Sequence, residues 1–510
     1  MSRRIAALNR QTSRARLTGM ALMLLLPCAG LRADAPVPAS TSSEIRLSLD
    51  EAVLMALANN RGMRVERLKP DIAATSQDTA NAVFDPDLKV ELSRSRDGTD
   101  TDSTQGGVKI SKLFSPGTAL ALDVSGKATE AKSGVNAGQA RAGLSVTQPL
   151  LQGAGPQVNL ARVRQAEIDA QASQYEFRGF VEAFVASVSD GYWSVVLAEK
   201  RIAILERSSA LAQQQLEETK ISIKVGALAP SELPAAEAEV AQRRSSLIDA
   251  AAELALARLR LMRLVNPTAG GLGSSVTLTD SPEPYEFKLG EPAAHVRTAL
   301  SRRPEMNQAR LASAHGELEV VQARNGRLPK LDTFITLGQS GYASQFSSAL
   351  NDVGKDDNND MTAGITFSYP LFQRAEKAGE RRAVLRRAES DEALANLAQL
   401  VELDVRSSMI RLERDLAAIE AASALRRLRE ESLRSETEKF KNGRSTALAV
   451  GQAQRDLLAS EVAELEARIK TKNDVVQFQR FEGTLLTAHG LNVPGADPLP
   501  EPGKPEAPKP

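Results

Sequence analysis

One large segment occurs twice in this chain, and the duplication limits what it can fold into more than any other feature. Near the start the chain reads Leu49-Asp50-Glu51-Ala52-Val53-Leu54-Met55-Ala56-Leu57-Ala58-Asn59-Asn60-Arg61, followed by a helix-like run to Phe84-Asp85-Pro86. Later it reads Ala293-Ala294-His295-Val296-Arg297-Thr298-Ala299-Leu300-Ser301-Arg302-Arg303-Pro304, with a similar run to Arg327-Leu328-Pro329. Ala56-Leu57 and Ala299-Leu300 lie 243 positions apart, and so do Pro86 and Pro329. Each copy continues through alternating, strand-like sequence, a Pro-Leu pair, a very long helical stretch and a glycine-centred turn. A repeat this large is a duplicated half-molecule rather than a solenoid unit.

The helical stretches are too long for a globule. No proline occurs from Leu371 to Val493, and the first break there is Asn442-Gly443. Residues 371–440 therefore read as one helix of about 70 residues, roughly 105 Å long. Apolar residues recur at spacings of three and four: Leu394, Leu397, Val401, then Leu412, Leu416, Ile419, then Leu425 and Leu428. That is coiled-coil spacing without a strict heptad. The first copy matches, with no proline over residues 157–229 and a turn at Lys224-Val225-Gly226-Ala227. Each helix returns antiparallel, through residues 231–265 and 446–488. Such helices must pack on each other and on copies of themselves. Composition agrees: aromatic residues are 4% and charged residues 25%, the balance of long helices rather than of a compact core.

Ahead of each long helix the period changes to two. Leu88, Val90 and Leu92 alternate with polar residues, as do Leu120, Leu122 and Val124, then Ala140, Ala142, Leu144 and Val146, then Met361, Ala363, Ile365, Phe367 and Tyr369. A membrane β-strand has this weak signature, and so does a half-buried strand of a soluble sheet. An export signal and the absence of a second compact core favour the membrane. Pro86 to Pro149 spans 63 positions but Pro329 to Pro370 only 41. The surplus surrounds Lys112-Leu113-Phe114-Ser115-Pro116-Gly117-Thr118, a turn flanked by alternating runs. It is either an additional hairpin or a set of longer strands with a longer loop. Asn351 to Asp360 reads as an outward-facing loop tip.

Residues 1–35 read as a secretory signal, with arginines at 3, 4, 10, 14 and 16, an apolar run from Leu17 to Leu26, and small residues around Ala33 and Ala35. The cut falls after Ala35, Ala33 or Gly30. Cys28 is the only cysteine, and Pro27 before it does not settle whether it is lipidated. The run is too short to span a bilayer, and no later segment approaches a transmembrane helix. An exported chain can still enter an outer membrane as a β-barrel. Beyond residue 35 the chain carries 58 basic and 63 acidic residues, which gives no nucleic-acid surface. The domains follow: signal at 1–35; first repeat at 44–265, with strands about 87–148 and a helical hairpin about 157–265; linker at 266–292; second repeat at 293–490, with strands about 331–369 and a hairpin about 371–488; and a Pro-rich tail at 491–510, expected to be disordered.

Over residues 44–490 this pattern resembles the TolC-like outer-membrane efflux protein family. The resemblance rests on the Leu49-Asp50-Glu51-Ala52 opening with Ala56-Leu57 and Asn59-Asn60, on Thr147-Gln148-Pro149-Leu150 with its counterpart Ser368-Tyr369-Pro370-Leu371, and on the paired Val-Gly and Asn-Gly tips. It implies an α+β membrane protein: a homotrimer sharing one outer-membrane β-barrel in outer-membrane lipid, above a long periplasmic α-helical barrel of antiparallel coiled-coil hairpins. Such an assembly is the passive exit duct of a tripartite efflux pump or type I secretion system. Its partners are a periplasmic adaptor (membrane fusion) protein and an inner-membrane transporter. An exported coiled-coil spacer of the envelope is the alternative; it accounts for the helices but not for the strands.

No catalytic chemistry is legible, and no cofactor, metal or nucleic acid is expected. His295, His315 and His489 sit on separate segments, and Gly153-Ala154-Gly155 lacks the Lys-Ser/Thr of a phosphate loop. What the resemblance singles out is the two helical tips, which meet the adaptor and close the entrance. They are Val225, Gly226, Ala227, Leu228 and Ser231 in the first hairpin, and Asn442, Gly443, Ser445 and Thr446 in the second. Ser231 is expected to cap the returning helix. Glu232 stands where the family commonly has an aspartate, and Arg444 is expected to pair with it as a gate. Places where some members carry an acidic ring are Ala449 and Gln452 here, which leaves Glu232 and Glu237 as the acids of the entrance.

Overall fold

The computed structural model describes residues 45–97, 101–131, 137–267, 276–283, 289–355 and 358–495. The signal with Cys28, residues 268–275 and 284–288 of the expected linker, and the tail beyond residue 495 lie outside the described residues. Strand β1 (Ile45–Leu47) ends at Ser48, which closes a capping box. The Ser48 hydroxyl accepts from the Glu51 amide, and the Glu51 carboxylate accepts from the Ser48 amide at 2.9 Å, satisfying two orphan donors together. Helix α1 (Leu49–Asn59) follows, and Asn60 caps α2 (Arg61–Asn81) in turn. The chain then enters β2 (Asp87–Asp97), β3 (Thr101–Leu113), β4 (Ala119–Ala131) and β5 (Ala137–Pro149). A short turn, α3 (Pro156–Asn159), leads to α4 (Ala161–Lys224), which returns as α5 (Leu233–Val265). After β6 (Val276–Leu278) the plan repeats: α6 (Pro292–Arg302), α7 (Pro304–Gly326), β7 (Lys330–Ala343), a short α8 (Phe346–Asp352), β8 (Asn359–Ser368), α9 (Arg374–Lys441), α10 (Ala447–Glu482) and α11 (Leu485–Ala488). Two tandem helices, strands and a long hairpin thus occur once in each half. The halves differ in strand number, because the surplus around Lys112–Thr118 is an additional hairpin: apart from the short β1 and β6, four strands are described in the first half and two in the second.

Those six strands form one antiparallel sheet in the order β2-β3-β4-β5-β7-β8. Its register places every apolar alternation on the same face. Val90 lies opposite Val108, Ile110 opposite Leu122, Leu122 opposite Leu144, Leu144 opposite Leu337, and Leu337 opposite Met361. These side chains have no protein covering and remain exposed. The opposite face is polar, carrying Lys89, Glu91, Lys109, Asp123 and an Arg141–Asp360 ion pair at 2.6 Å. Apolar out and polar in, at period two, is how a strand separates lipid from an aqueous lumen. Within one chain the sheet is open, with β2 and β8 at its edges.

The two longest helices have 64 and 68 residues, roughly 95–100 Å each. Helices α2 and α5 pack along α4, α7 and α10 along α9, and α4 touches both α7 and α10. The main core gathers at mid-length, where β1 and β6 pair in parallel. Tyr192 is fully buried there and donates to the Leu47 carbonyl at 3.0 Å, while the Asp280 amide donates to its oxygen at 3.2 Å. Trp193 meets its ring edge-on, with centroids 5.6 Å apart. Contrary to the sequence expectation, a stretch of α4 is long and apolar enough to cross a membrane, and 61% of it is buried in the protein. Its hydrophobicity serves this core.

One buried ion pair stands out. Arg178 and Glu182 lie one turn apart on α4, each about 3% exposed, with Nε to Oε1 at 3.1 Å. Arg178 also donates to the carbonyls of Gly495 at 2.7 Å and Gly483 at 3.4 Å. Burial pushes the Glu182 carboxyl up to about 7, against the opposing pull of Arg178. In the unfolded chain the group titrates near 4.5. Below that pH both states hold the proton and this titration does not change stability. As pH rises from 4.5 to about 7 the unfolded chain loses its proton first, so stability falls, by about 3 kcal/mol in total. Melting temperature is therefore expected to decline across that window in the wild type. The decline should be flatter in Glu182→Gln, as followed by circular dichroism in detergent.

Candidate functional site

Both helical hairpins end in the same backbone device. At the first tip the Gly226 amide donates to Ile223 O at 3.0 Å and the Ala227 amide to Ser222 O at 2.8 Å. At the second, Gly443 donates to Phe440 O at 2.9 Å and Arg444 to Lys439 O at 2.8 Å. This is the Schellman pattern, which requires a left-handed residue just past the helix. Gly226 has φ of 79° and Gly443 of 68°, and glycine takes that conformation without a Cβ penalty. Nothing lies within 4 Å of a Cβ built on either, so conformation rather than crowding calls for glycine.

The return paths differ. Thr446 caps α10, its hydroxyl accepting from the Ala449 amide at 3.2 Å, and Ser445 donates to Glu436 at 2.7 Å. Ser231 does not cap α5. Pro230 starts a 3-10 turn through Glu232, α5 begins at Leu233, and no side chain caps it. The expected cap lies one turn element too early, because the proline fixes φ and starts the coil before Ser231 can act as the boundary.

The first tip is apolar and uncovered, and the second is polar up to Leu448. Val225 is 72% exposed, and beside it stand exposed Ala227 and half-buried Leu228. Ile221 and Leu448, which sequence reasoning passed over, are 61% and 67% exposed. Their signal was available: apolar residues five positions from each glycine.

Glu232 is half-buried, and Glu237 and Arg444 are exposed. Among the described residues no Glu232–Arg444 ion pair forms. The hairpins are joined by charge farther from the tips, where Gly451 and Ala447 of α10 face Ala212 of α4 and Ala235 and Ala236 of α5. There Arg455 Nη1 reaches Glu239 at 2.7 Å, and Arg243, 6% exposed, holds the same carboxylate at 2.6 Å. Small residues let the helices approach, and one acid shared by two guanidiniums fixes the contact. Gln452 stands next to it, bonded to Asp456 at 2.9 Å and Arg455 at 2.8 Å.

No group of three or more His, Cys, Asp or Glu that could hold a metal is present among the described residues. Two histidines are tied to single carboxylates: His295 to Glu482 at 2.7 Å and His489 to Asp50 at 2.8 Å. His315 lies 3.9 Å from Asp169 and 4.0 Å from Glu319.

Known proteins share this architecture. Outer membrane protein TolC of Escherichia coli (strain K12) is 22% identical over 304 residues, which span 57% of this chain and 58% of that protein. The match thus covers less than two thirds of that relative. A membrane protein from Pseudomonas aeruginosa superposes with a TM-score of 0.66 at 19% identity, covering 85% of this chain and 93% of its own. The CmeC outer membrane channel of Campylobacter jejuni gives 0.66 at 16% identity and 86% of each chain. The MtrE outer membrane channel of Neisseria gonorrhoeae gives 0.61 at 19% identity, covering 86% of this chain and 89% of its own. These superpositions establish the fold. The family model for outer membrane efflux proteins matches residues 53–267 and 296–484, one span in each half of the duplication. The chain belongs to the outer membrane efflux protein family, whose place is the outer membrane with an extension into the periplasm.

Proposed function

We propose that three copies of this chain form a passive exit duct that carries cargo across the periplasm and outer membrane, for a tripartite efflux pump or a type I secretion system. The observation that carries this reading is a single sheet with an apolar row unbroken across all six strands, a polar face and two open edges, mounted on helices of about 100 Å. Open edges in lipid leave backbone groups unpaired at several kcal/mol each, so the strands must close with other copies. A periplasmic adaptor supplies the cover for the apolar first tip, and an inner-membrane transporter supplies the energy that nothing in this chain generates. The envelope-spacer alternative has no use for a lipid-facing sheet.

Adaptor docking is tested by Val225→Asp combined with Leu448→Asp. The double variant should form normal trimers in the outer membrane yet lose efflux, with drug susceptibility equal to that of a deletion strain. Wild-type resistance in that variant would remove the tips from docking. Gly226→Pro should behave alike, because proline has no amide for Ile223 O and cannot reach a φ of 79°.

For the gate, the shared carboxylate replaces the Glu232–Arg444 pair as the stronger candidate. An exposed ion pair contributes about 0–1 kcal/mol, and three linked by symmetry bias an opening equilibrium by up to roughly 3 kcal/mol, about a hundredfold. Arg455→Glu should raise resting conductance in planar bilayers and admit large antibiotics, while Arg444→Glu should change less. Glu232 and Glu237 stay the acids nearest the entrance, and Glu232→Gln should lower cation preference. Equal conductance in Arg455→Glu and wild type would place the gate elsewhere.

A further inference from the structure

The extra hairpin is a copy of its neighbour. The strand that runs down to the helical end of each hairpin carries one pattern, glycine, apolar, polar, apolar, Ser/Thr, two variable residues, apolar. It reads Gly107-Val-Lys-Ile-Ser-Lys-Leu-Phe114 at the end of β3, Gly143-Leu-Ser-Val-Thr-Gln-Pro-Leu150 at the end of β5, and Gly364-Ile-Thr-Phe-Ser-Tyr-Pro-Leu371 at the end of β8. The rising strands match too: Phe84-Asp-Pro86 before β2 is echoed by Phe114-Ser-Pro116 before β4. A unit of one hairpin thus occurs three times, twice in tandem in the first half.

The tandem copy is built into the wall. Its strands continue the ladder without a break: Val90, Val108, Val124 and Ala142 form one row across β2, β3, β4 and β5. Whereas β2, β5, β7 and β8 each connect to a helix, β3 and β4 turn back on themselves at Phe114–Thr118. That turn is stitched to the segment entering α4. The Gly155 amide donates to Pro116 O at 3.0 Å, and Asn159 Nδ2 donates to Ser115 O at 3.1 Å. Gly117, at φ of 97°, leaves no room for a Cβ beside Pro149 and the Gly153 carbonyl.

Both sheet edges are unfinished. On the interior strands Val108, Ile110, Leu120, Leu144 and Val146 are 36–44% exposed, while Leu88, Val90 and Leu92 on β2, and Met361, Ile365 and Phe367 on β8, are 62–81% exposed. The difference is the cover a further strand would supply. Six antiparallel strands leave β2 and β8 running in opposite directions, so β8 of one copy can pair antiparallel with β2 of the next.

We propose that every chain places six strands in the shared barrel, so that the trimeric duct argued above has an eighteen-stranded wall. Eighteen strands about 4.8 Å apart and tilted about 40° enclose a backbone cylinder roughly 36 Å across, against roughly 24 Å for twelve. Barrels of 16–18 strands hold a water-filled channel.

The experiment is cryo-electron microscopy of the purified full-length protein in lipid nanodiscs, beside a variant deleting residues 108–143. The deletion fuses the upper half of β3 to the lower half of β5 within the shared pattern and removes one hairpin. Six strands per chain in the wild type and four in the variant are expected, whatever the number of copies. Polymer exclusion from the extracellular mouth in planar bilayers should fall to about two thirds of the wild-type diameter. Four strands per chain in the wild type, with the 114–142 segment outside the wall, overturns the proposal even if the trimer stands. A ring of another copy number with six strands per chain overturns the trimer and leaves the proposal.

Discussion

Leu122→Arg is expected to abolish the outer-membrane assembly. Leu122 is the middle of the apolar alternation Leu120, Leu122 and Val124 on β4, opposite Ile110 on one side and Leu144 on the other, and its side chain is 49% exposed on the apolar face. If that face meets lipid, a guanidinium at mid-depth costs about 2–4 kcal/mol per copy, and a trimer places three on one belt. Ser125→Arg is the internal control. It lies on the same strand but on the polar face, opposite Gly107 and Arg141, where an added cation meets water and the acids of β2 and β4. The heat-modifiable oligomer in outer-membrane fractions should vanish in Leu122→Arg and persist in Ser125→Arg. The reverse order would assign the two faces the other way round.

Glu182→Ala should be the most destabilising substitution among the helices. Above about pH 7, where the carboxyl is ionised, removing it strands the Arg178 guanidinium at about 3% exposure, and breaking a buried pair by one partner costs about 3–5 kcal/mol. Replacing both residues by apolar ones removes the stranded charge and should recover much of the loss, less about 1–3 kcal/mol for the Gly483 and Gly495 carbonyls that Arg178 serves. Melting of the purified protein should therefore rank wild type, then Arg178→Met with Glu182→Met, then Glu182→Ala. If the double variant melts below the single one, the guanidinium's backbone contacts outweigh its charge pairing.

The duplication, both helical hairpins and both tips were legible because each rests on local chemistry. Proline absence over residues 157–229 marks a helix, Gly226 and Gly443 mark left-handed turns, and Ala56-Leu57 with Ala299-Leu300 marks the copy. Strand number was not legible. Period-two alternation is weak in each strand, and β3 reads Thr-Asp-Ser-Thr-Gln-Gly-Gly before its apolar half begins, so its partner decides its state. The contact between the two hairpins was missed for a different reason. Arg455 and Glu239 are 216 residues apart, and on their own helices each looks like a solvated charge. Arg178–Glu182 likewise has the spacing of a surface pair; only the packing of α11 and the 490–495 segment over α4 makes it a buried one. The Ser231 cap failed because Pro230 starts a 3-10 turn, an outcome that a capping rule applied to a single residue does not weigh.

Disulfide scanning of the sheet edges tests the shared barrel most directly. Beyond Cys28 the chain has no cysteine, so introduced thiols stand alone. Val90→Cys on β2 would be combined in turn with Met361→Cys, Ala363→Cys and Ile365→Cys on β8, and cells oxidised before extraction. A closed ring of three predicts, for at least one combination, a reducible ladder on denaturing gels that stops at the trimer. A chain that stays monomeric in every combination, or that pairs its own β2 with its own β8, would contradict the account.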